Sequence, residues 1–503
     1  MARLHATHAA VDTILAGAGC EVDASTGAIT PPIHLTSTFE RDADLAYSRG
    51  FCYSRISNPT RNLFERAIAA AETPALQDAP HGGAGVGDAA PTAAEATAAL
   101  EGGALVTPSA AAEGAPDPLA AAAAAVAAVV RRNDAAARGA GLRAEAAAFA
   151  SGMAAVCTIF QAVPGGHVLL SDDVYHGVRF ALQTSFAHWG LAYTLVDMSD
   201  LAAVESALLA AREREGAVAG EGTTLVWLET PSNPCCKVVD VAAVARLAHD
   251  DATGGGALVV VDATWCTPCA MRPLELGADL VLHSATKYLG GHSDLTGGAV
   301  VGWTTHSEAA RGGGGGGSGT QRSEEEAPPP PPPAPTVTRA RADAVELFRR
   351  VRQLQGCYGA VMAPFDCWLC LRGMRSLGAR MRMHCSNAMA VAEALAVHDK
   401  VSAVYYAGLP GHPGHAVAAA QMGGRFGGML SFRVAGGREA AVAVAARLRV
   451  FRRATSLGGT ESLVEHRRSI EPPDSATPDD LLRISVGIEA PEAIVADLLQ
   501  ALA

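Results

Sequence analysis

Short apolar runs alternate with helical patterns over much of the chain. Four runs are predicted to be buried strands, and helical patterns lie between them. Strands of this kind are typical of a parallel sheet that helices cover on both faces. Ligands of such sheets bind outside the carboxyl ends of the strands, so the residues that follow the strands are candidates for function. The four runs are Val168 to Leu170, Leu191 to Val196, Thr224 to Leu228 and Leu258 to Val261, and Val241 to His249 is an intervening helix.

The pattern changes after about Leu371, where longer helical patterns appear together with a few strand-like runs, Met429 to Val434 and Leu482 to Val486. This change predicts a smaller α+β domain that follows a large α/β domain. We therefore expect three parts: an N-terminal arm over residues 1–60, a large domain over 61–375 and a C-terminal domain over 376–503.

Two stretches depart from globular sequence, at about 72–143 and about 305–341. The first is dominated by Ala, Gly, Pro, Ser and Thr, and the second contains the runs Gly312 to Gly317 and Pro328 to Pro333. Such segments bury too little apolar surface to offset the entropy lost on ordering. We predict inserted surface loops without chemistry; a partner-binding proline motif is the less favoured reading.

Composition and charge exclude several classes of protein. The chain of 503 residues is 49% hydrophobic, which argues against a mainly disordered chain. Its formal charge of −12 argues against general binding to nucleic acid or to anionic membranes. No apolar run reaches the roughly 18 residues of a membrane span. Residues 1–19 show no long apolar core followed by a cleavage site, so we expect no secretory signal. Eleven irregularly spaced cysteines favour a reducing compartment, the cytoplasm. A short organelle-targeting segment stays open.

The candidate chemistry follows the last predicted strand of the large domain. Asp262 ends this strand, and Lys287 lies downstream between the hydroxyls of Ser284 and Thr286 and a glycine pair. A lysine can form a Schiff base, hydroxyls can hold a phosphate, and an acid can pair with a pyridinium nitrogen. Together these groups predict a site for pyridoxal phosphate.

The segment HSATKYLGGHSD around Lys287, preceded by RPLELGADLV, resembles the Cys/Met-metabolism family of pyridoxal-phosphate enzymes. The resemblance runs from about Gly27 to the C-terminus and is interrupted by the two inserts. It implies the transferase fold type I, like that of aspartate aminotransferase, with a mainly parallel sheet in the large domain. It also implies pyridoxal 5′-phosphate as cofactor and small amino acids as substrates.

The resemblance assigns the cofactor site to individual residues. Lys287 would hold the cofactor covalently and move protons, and Asp262 would keep the pyridine nitrogen protonated. The phosphate would be bound by Ser284 and Thr286 and by the turn SGMAA, which contains Gly152 and Met153.

The resemblance also places groups around the ring and the substrate. Tyr175, in DDVYHG, would stack on the ring and take part in catalysis, and Asn233, in ETPSNP, would lie near the phenolic oxygen. Arg483, in LLRISVGIE, would clamp the substrate carboxylate, a task that suits a bidentate donor. Ser456, in TSLGGTESL, would lie in the loop that closes over the substrate.

The arm carries the segment YSRISNPTRN, which is similar to the family segment that enters the neighbouring subunit's site. Arg55 would bind the phosphate there, and Tyr53 would lie near cofactor and substrate. The resemblance therefore implies a homo-oligomer, in the family's usual form a tetramer built from dimers that share active sites.

The favoured reaction is the family's γ-replacement, in which cysteine sulfur replaces the γ-substituent of an O-activated homoserine. The alternative is a cystathionine γ- or β-lyase, and Thr455 keeps this choice open because many γ-specific members have glutamate there. Gly177 stands where methionine γ-lyases carry cysteine, which counts against that activity. The family commonly has Asp-Asn-Thr where this chain has Ala263 between Asp262 and Thr264.

Two other functions are suggested by cysteine spacing. Cys266 and Cys269 follow a valine-rich strand, as in thioredoxin-like proteins, and with Cys367 and Cys370 they make two C-x-x-C pairs that could hold zinc. Both readings are disfavoured, because the family segment RPLELGAD follows the first pair directly. The second pair lies in an apolar, helical stretch where buried thiols are the commoner case.

Overall fold

The computed structural model describes residues 2–74, 118–217, 223–305, 339–471 and 475–503. The chain begins with helix α1 (Ala2–Ala16), and helix α2 (Pro59–Glu72) follows the arm. Asn58 caps α2, because its side chain accepts hydrogen bonds from the backbone of Thr60 and Arg61. Between the helices the arm is extended and exposes apolar side chains such as Leu35.

A seven-stranded sheet forms the centre of the large domain. Its strand order is β1-β7-β6-β5-β4-β2-β3; β7 runs antiparallel to β1 and β6, and the other neighbours are parallel. All four strands predicted in this part of the chain are confirmed. The strands are β1 (Leu142–Phe149), β2 (His167–Ser171), β3 (Ala192–Val196), β4 (Thr224–Glu229), β5 (Leu258–Asp262), β6 (Leu280–His283) and β7 (Gly298–Thr305).

Helices flank this sheet, and the apolar side chains of β4, β5 and β6 are buried between them. The helix predicted at Val241 to His249 is confirmed with the same bounds. The described helices of this part are α3 (Pro118–Gly139), α4 (Gly152–Gln161), α5 (His176–Ala181), α6 (Leu201–Ala217), α7 (Val241–His249), α8 (Thr267–Ala270), α9 (Pro273–Leu276), α10 (Arg339–Tyr358) and α11 (Pro364–Met374).

The C-terminal part has a second sheet, of order β10-β11-β12-β9-β8, and a separate hydrophobic core, as expected for a smaller α+β domain. Among the described residues, no helix combines the length and apolar composition needed to cross a membrane. The elements are α12 (Leu377–Ala396), β8 (Val401–Tyr405), α13 (His415–Met422), β9 (Met429–Val434), α14 (Gly437–Arg447), β10 (Arg452–Arg453), β11 (Leu463–His466), β12 (Leu481–Ser485) and α15 (Pro491–Leu502).

The loop predicted over 72–143 is wrong for the last part of that stretch. Helix α3 occupies 118–139 and packs against α9 and α13, and Asn133 donates a hydrogen bond of 2.9 Å to the carbonyl of Glu275. The many alanines of this segment resemble a low-complexity loop in the sequence. Alanine is, however, the strongest helix former, and Ala137 is fully buried in the structure. Residues 75–117 of this insert and 306–338 of the second lie outside the described residues.

The packing of α3 gives a first prediction. Ala137→Glu places a charge in a fully buried position, whereas Ala136→Glu places the same charge on the exposed side of the same turn. We expect the first variant to lose about 2 to 4 kcal/mol of unfolding free energy, measured by denaturant titration, and the second to be nearly neutral. Equal stability of the two variants would show that α3 is not packed in this way.

Candidate active site

A cavity of about 220 Å³ opens at the carboxyl edge of the large sheet and is closed by residues of the C-terminal domain. This is the edge at which the sequence pattern predicted the ligand. The residues that follow β1, β2, β4, β5 and β6 all contribute to it. Ten of the predicted site residues line the cavity: Gly152, Met153, Tyr175, Asn233, Asp262, Ser284, Thr286, Lys287, Ser456 and Arg483.

Lys287 lies in the wall of this cavity, and its Nζ donates a hydrogen bond of 2.8 Å to the hydroxyl of Ser456. Burial, together with the charge of Arg483, lowers the pKa of Lys287 to about 8. The chain has three lysines. Lys237 pairs with aspartates, and Lys400 donates to the carbonyl of Ala503. Lys287 is therefore the lysine placed for covalent chemistry with a bound ligand.

The low pKa of Lys287 gives a second prediction. In cofactor-free protein, acetylation of Lys287 by acetic anhydride should rise with pH through a midpoint near 8, because the neutral amine is the nucleophile. Lys237 is the internal control: burial alone would lower its pKa, but Asp172 and Asp197 hold it above the ordinary value. Peptide mass spectrometry at each pH measures both, and identical midpoints would contradict the described environment.

Two carboxyl groups lie side by side at the ends of neighbouring strands. Asp262 on β5 accepts a hydrogen bond from the backbone of Thr264, and its register partner on β4 is Glu229. Burial raises the pKa of Asp262, and burial together with the charge of Asp262 raises that of Glu229 well above its usual value. Glu229, which sequence reasoning missed, also accepts a hydrogen bond from the backbone of Tyr175, so it orients that residue.

The opposite end of the cavity suits a phosphate dianion. Helix α4 begins at Gly152, and Gly152 and Met153 line the cavity together with Ser284 and Thr286. A side chain at Gly152 would place its Cβ only 3.0 Å from the Ser284 side chain. The glycine therefore lets the N-terminus of the helix lie close to the Ser284 hydroxyl. We call this space between them the cradle, and a larger residue at position 152 would fill it.

Arg483 is buried at the substrate end of the cavity. Its Nη1 donates to Asn233 Oδ1 at 3.0 Å, and its Nη2 donates to Glu465 Oε2 at 2.6 Å. Burial and the neighbouring charge of Arg467 lower the pKa of Arg483 to about 10, so the guanidinium is charged at neutral pH. A fixed, buried guanidinium is the group expected for a substrate carboxylate.

Tyr53 and Arg55 lie outside this cavity. Tyr53 is 46% exposed, and Arg55 donates to the carbonyl of Gly356 with its guanidinium carbon 5.7 Å from the centre of the Tyr53 ring. One chain therefore does not bring these residues to its own Lys287. Their role in a neighbouring subunit's site stays a prediction.

Two residues that were not predicted for the site also line the cavity, Trp265 and Arg467. Arg467 is almost fully buried, and two carboxylates bind it, Glu465 at 2.9 Å and Glu471 at 2.8 Å. Its surroundings in the sequence, ESLVEHRRSIE, are mostly polar and charged, so no local pattern distinguishes it from an exposed arginine.

The C-x-x-C pairs do not resemble redox or zinc sites. Cys266 and Cys269 are buried, and burial raises the pKa of both thiols, that of Cys269 to about 12. Cys367 and Cys370 are buried within α11, and burial also raises their pKa values. Buried thiols of raised pKa are poor redox nucleophiles. Among the described residues, no group of three or more His, Cys, Asp or Glu side chains is placed to hold a metal ion.

Comparison with models of known protein families shows to which family this chain belongs. The model of the Cys/Met metabolism PLP-dependent enzymes matches residues 12–134 and 135–503. The chain belongs to this family. It is thus a pyridoxal-phosphate enzyme of sulfur amino-acid metabolism with the transferase fold that its sequence predicted, and the cradle at Gly152, the acid Asp262 and the lysine Lys287 fit that cofactor.

Individual relatives agree along nearly the whole chain. The chain is 36% identical to the cystathionine gamma-synthase of Mycobacterium tuberculosis, over 96% of this chain and 95% of the relative. It is 33% identical to the cystathionine beta-lyase of Coxiella burnetii, over 98% and 97%. The crystal structure of cystathionine gamma synthase from Xanthomonas oryzae with aminoacrylate and cysteine matches with a TM-score of 0.69 and 31% identity, covering 98% of this chain and 97% of that chain.

Proposed function

We propose that this enzyme is a cystathionine γ-synthase. It joins cysteine sulfur to the γ-carbon of an O-activated homoserine, and the γ-substituent leaves with the bonding electrons. The observation that carries the proposal is that one cavity brings together a reactive lysine, a buried acid and a carboxylate clamp: Lys287, Asp262 and Arg483. The synthase relatives that match almost the entire chain support the choice within the family.

The cavity residues divide the work of this reaction. Pyridoxal phosphate supplies the electron sink that stabilises negative charge at the substrate's α-carbon. Arg483 binds the substrate α-carboxylate, and Asp262 holds a positive charge at the pyridine nitrogen. Lys287 Nζ takes and returns protons at the α- and β-carbons, since its lowered pKa, about 8, suits a general acid and base near neutral pH. Ser456 holds that Nζ by its hydroxyl.

Tyr175 lines the cavity and would stack on the ring of the cofactor. A Cβ at Gly177 would lie 2.6 Å from Tyr175 Cε1, so the described position of the tyrosine ring leaves no room for a side chain there. Gly177 stands at the position of the methionine γ-lyase cysteine. The packing therefore supports a synthase or a cystathionine lyase rather than a methionine γ-lyase.

A cystathionine lyase is the second candidate. It is favoured by the lyase relatives and by Thr455, which lines the cavity where many γ-specific members have glutamate. Both candidates act on small amino acids. For either of them we propose the cytoplasm as the location. They share the cofactor and the carboxylate clamp, but a synthase forms a carbon–sulfur bond by replacement, whereas a lyase breaks one by elimination.

Product analysis distinguishes the two. Purified protein is given O-succinyl-, O-acetyl- or O-phosphohomoserine with cysteine, and in parallel cystathionine alone, and amino acids and keto acids are separated by chromatography. A synthase forms cystathionine from one of the homoserine esters at a rate well above its cleavage of cystathionine. Faster cleavage than formation would establish a lyase instead.

We further propose that two subunits share each active site, with Arg55 and Tyr53 reaching the partner's cavity. The arm exposes apolar residues, including Leu45 at 69% and Ile56 at 50%, which a second subunit would cover. Arg55→Ala should weaken cofactor retention about tenfold or more, the loss typical of a charge-assisted phosphate contact.

Mixing subunits tests the sharing itself. Arg55→Ala and Lys287→Ala protein, exchanged under conditions with proven subunit exchange, should regain activity in the hybrid sites that keep both groups. Arg41→Ala, an exposed arginine of the same arm that contacts Tyr47, is the matched control and should retain cofactor normally. An active monomer, or mixtures that never regain activity, would contradict sharing.

A further inference from the structure

Glu465 lies behind the substrate end of the cavity. It belongs to β11 and faces Arg483 of β12 in the antiparallel register of the second sheet. Its side chain is 8% exposed. Thr455, Arg467 and Arg483 line the cavity in front of it, and Glu465 contacts all three.

The carboxylate of Glu465 divides its two oxygens between two tasks. Oε2 accepts from Arg483 Nη2 at 2.6 Å and from Arg467 Nη1 at 2.9 Å. Oε1 accepts from the Thr455 hydroxyl at 2.7 Å. One oxygen therefore holds the guanidinium that faces the substrate, and the other holds the turn that carries Ser456.

Electrostatics requires an anion at this position. Arg467 and Arg483 are buried close together, and the two positive charges repel each other unless a negative charge lies between them. Burial alone would raise the pKa of Glu465, but Arg483 and Arg467 hold it below its usual range, so the group is ionised. Without that charge, Arg483 would have Asn233 and the Ser456 carbonyl as its described partners.

The turn at Ser456 is strained and tied at three points. Ser456 has a φ of 114°, in the region that favours glycine. Its hydroxyl accepts from Lys287 Nζ at 2.8 Å, its carbonyl accepts from Arg483 Nη2 at 3.3 Å, and the preceding Thr455 is bonded to Glu465. Such a conformation persists only where its surroundings impose it.

From this arrangement we infer that Glu465 is a positioning residue. It couples the orientation of Arg483, which binds the substrate, to the hydrogen bond between Ser456 and Lys287. It sets the orientation of Arg483 through Oε2 and fastens the Thr455–Ser456 turn through Oε1, so that carboxylate binding and the placement of Lys287 depend on the same side chain. The inference rests on the proposed substrate-binding role of Arg483.

Three variants test the two tasks separately. Glu465→Gln removes the negative charge next to Arg483 and Arg467, and Thr455→Val removes only the hydrogen bond between Thr455 and Glu465. Glu471→Gln is the matched control, because Glu471 is a buried carboxylate of the same ion-pair cluster that bonds Arg467, Ser475 and Thr477 but neither Arg483 nor Thr455.

We expect distinct kinetic signatures. Glu465→Gln should raise KM for the homoserine ester about tenfold or more and also lower kcat. Thr455→Val should lower kcat and leave KM within about twofold, because it frees the turn but leaves the charge that holds Arg483. Glu471→Gln should leave KM within about twofold. An unchanged KM in Glu465→Gln, a KM that rises as much in Thr455→Val as in Glu465→Gln, or equal effects of the two glutamine variants would overturn the inference.

The pH titration of the visible absorption band adds a readout that general destabilisation does not move. The charge of Glu465 favours a proton on Lys287 Nζ, and the same attraction acts when that nitrogen is bonded to the cofactor, whose protonation the visible band reports. The carboxylate of Glu471 bonds instead to Arg467, Ser475 and Thr477. The midpoint of the titration should therefore shift to lower pH in Glu465→Gln and stay in Glu471→Gln and Thr455→Val. If Glu465→Gln fails to fold, Glu465→Asp replaces it: the charge keeps the midpoint, and the shortened side chain raises KM. A folded Glu465→Asp with unchanged KM would overturn the inference.

The same variants separate this inference from the proposed function. If no homoserine ester or cystathionine reacts, the proposed function fails. The dissociation constant of glycine, measured from the change of the visible band, still tests Glu465. Glycine carries the carboxylate that Arg483 would bind, so its affinity should fall about tenfold in Glu465→Gln and stay within about twofold in Glu471→Gln.

Discussion

Replacing Lys287 by alanine is expected to remove both the visible absorption band of the purified protein and its turnover. Lys287 is the lysine that lines the cavity, so its loss leaves the cofactor without a covalent attachment and the reaction without its proton carrier. General acid–base catalysis alone contributes roughly a factor of 10² to 10⁴, and loss of the covalent bond adds to this. Absorbance spectra and initial rates measure the two effects.

Lys237→Ala is the control for this experiment. Lys237 forms ion pairs with Asp172 and Asp197 at 2.8 and 2.9 Å and does not line the cavity. Its loss should leave the visible band in place and the turnover close to that of the unmodified protein. A Lys287→Ala protein that keeps both band and turnover would refute the assignment.

Arg483→Ala should cause the next largest loss, a fall in kcat/KM of about 10² to 10⁴. If Arg483 binds the substrate carboxylate as proposed, the substitution would remove two charge-assisted hydrogen bonds, each worth about 1.5 to 3 kcal/mol. It also leaves the buried Glu465 with a weaker set of donors. Arg483→Lys keeps the charge but not the bidentate geometry, and should recover only part of the loss.

Arg433→Ala is the matched control for Arg483. Arg433 lies on the neighbouring strand β9 and pairs with Asp480, but its side chain is 40% exposed and does not line the cavity. An exposed ion pair of this kind is worth about 0 to 1 kcal/mol, so kcat/KM should change little. Similar losses in the two variants would mean that Arg483 acts through stability rather than through the substrate.

The sequence allowed the cofactor end of the site to be predicted, because its groups lie at strand ends or in short motifs. An apolar run locates the strand that ends at Asp262, whereas Ser284 and Lys287 are recognised from the motif HSATKYLGGHSD further along the chain. The phosphate turn at Gly152 is equally local, since Ser151 caps the helix that begins there.

The remainder depends on tertiary structure that local patterns do not encode. Glu465 matters because the register of β11 and β12 places it opposite Arg483, and because the second sheet packs next to Lys287. Helix α3 was missed for a different reason: a run of alanines gives no hydrophobic period, and only its packing against α9 and α13 shows that it is structural.

Borohydride reduction followed by peptide mass mapping shows whether this cavity holds pyridoxal phosphate on Lys287. Reduction fixes the cofactor to the lysine that carries it, and the chain has only Lys237, Lys287 and Lys400 as candidates. We expect the cofactor's mass on the peptide that contains HSATKYLGG, and a bleached visible band. The mass on a peptide with Lys237 or Lys400, or on none of the three, would contradict it.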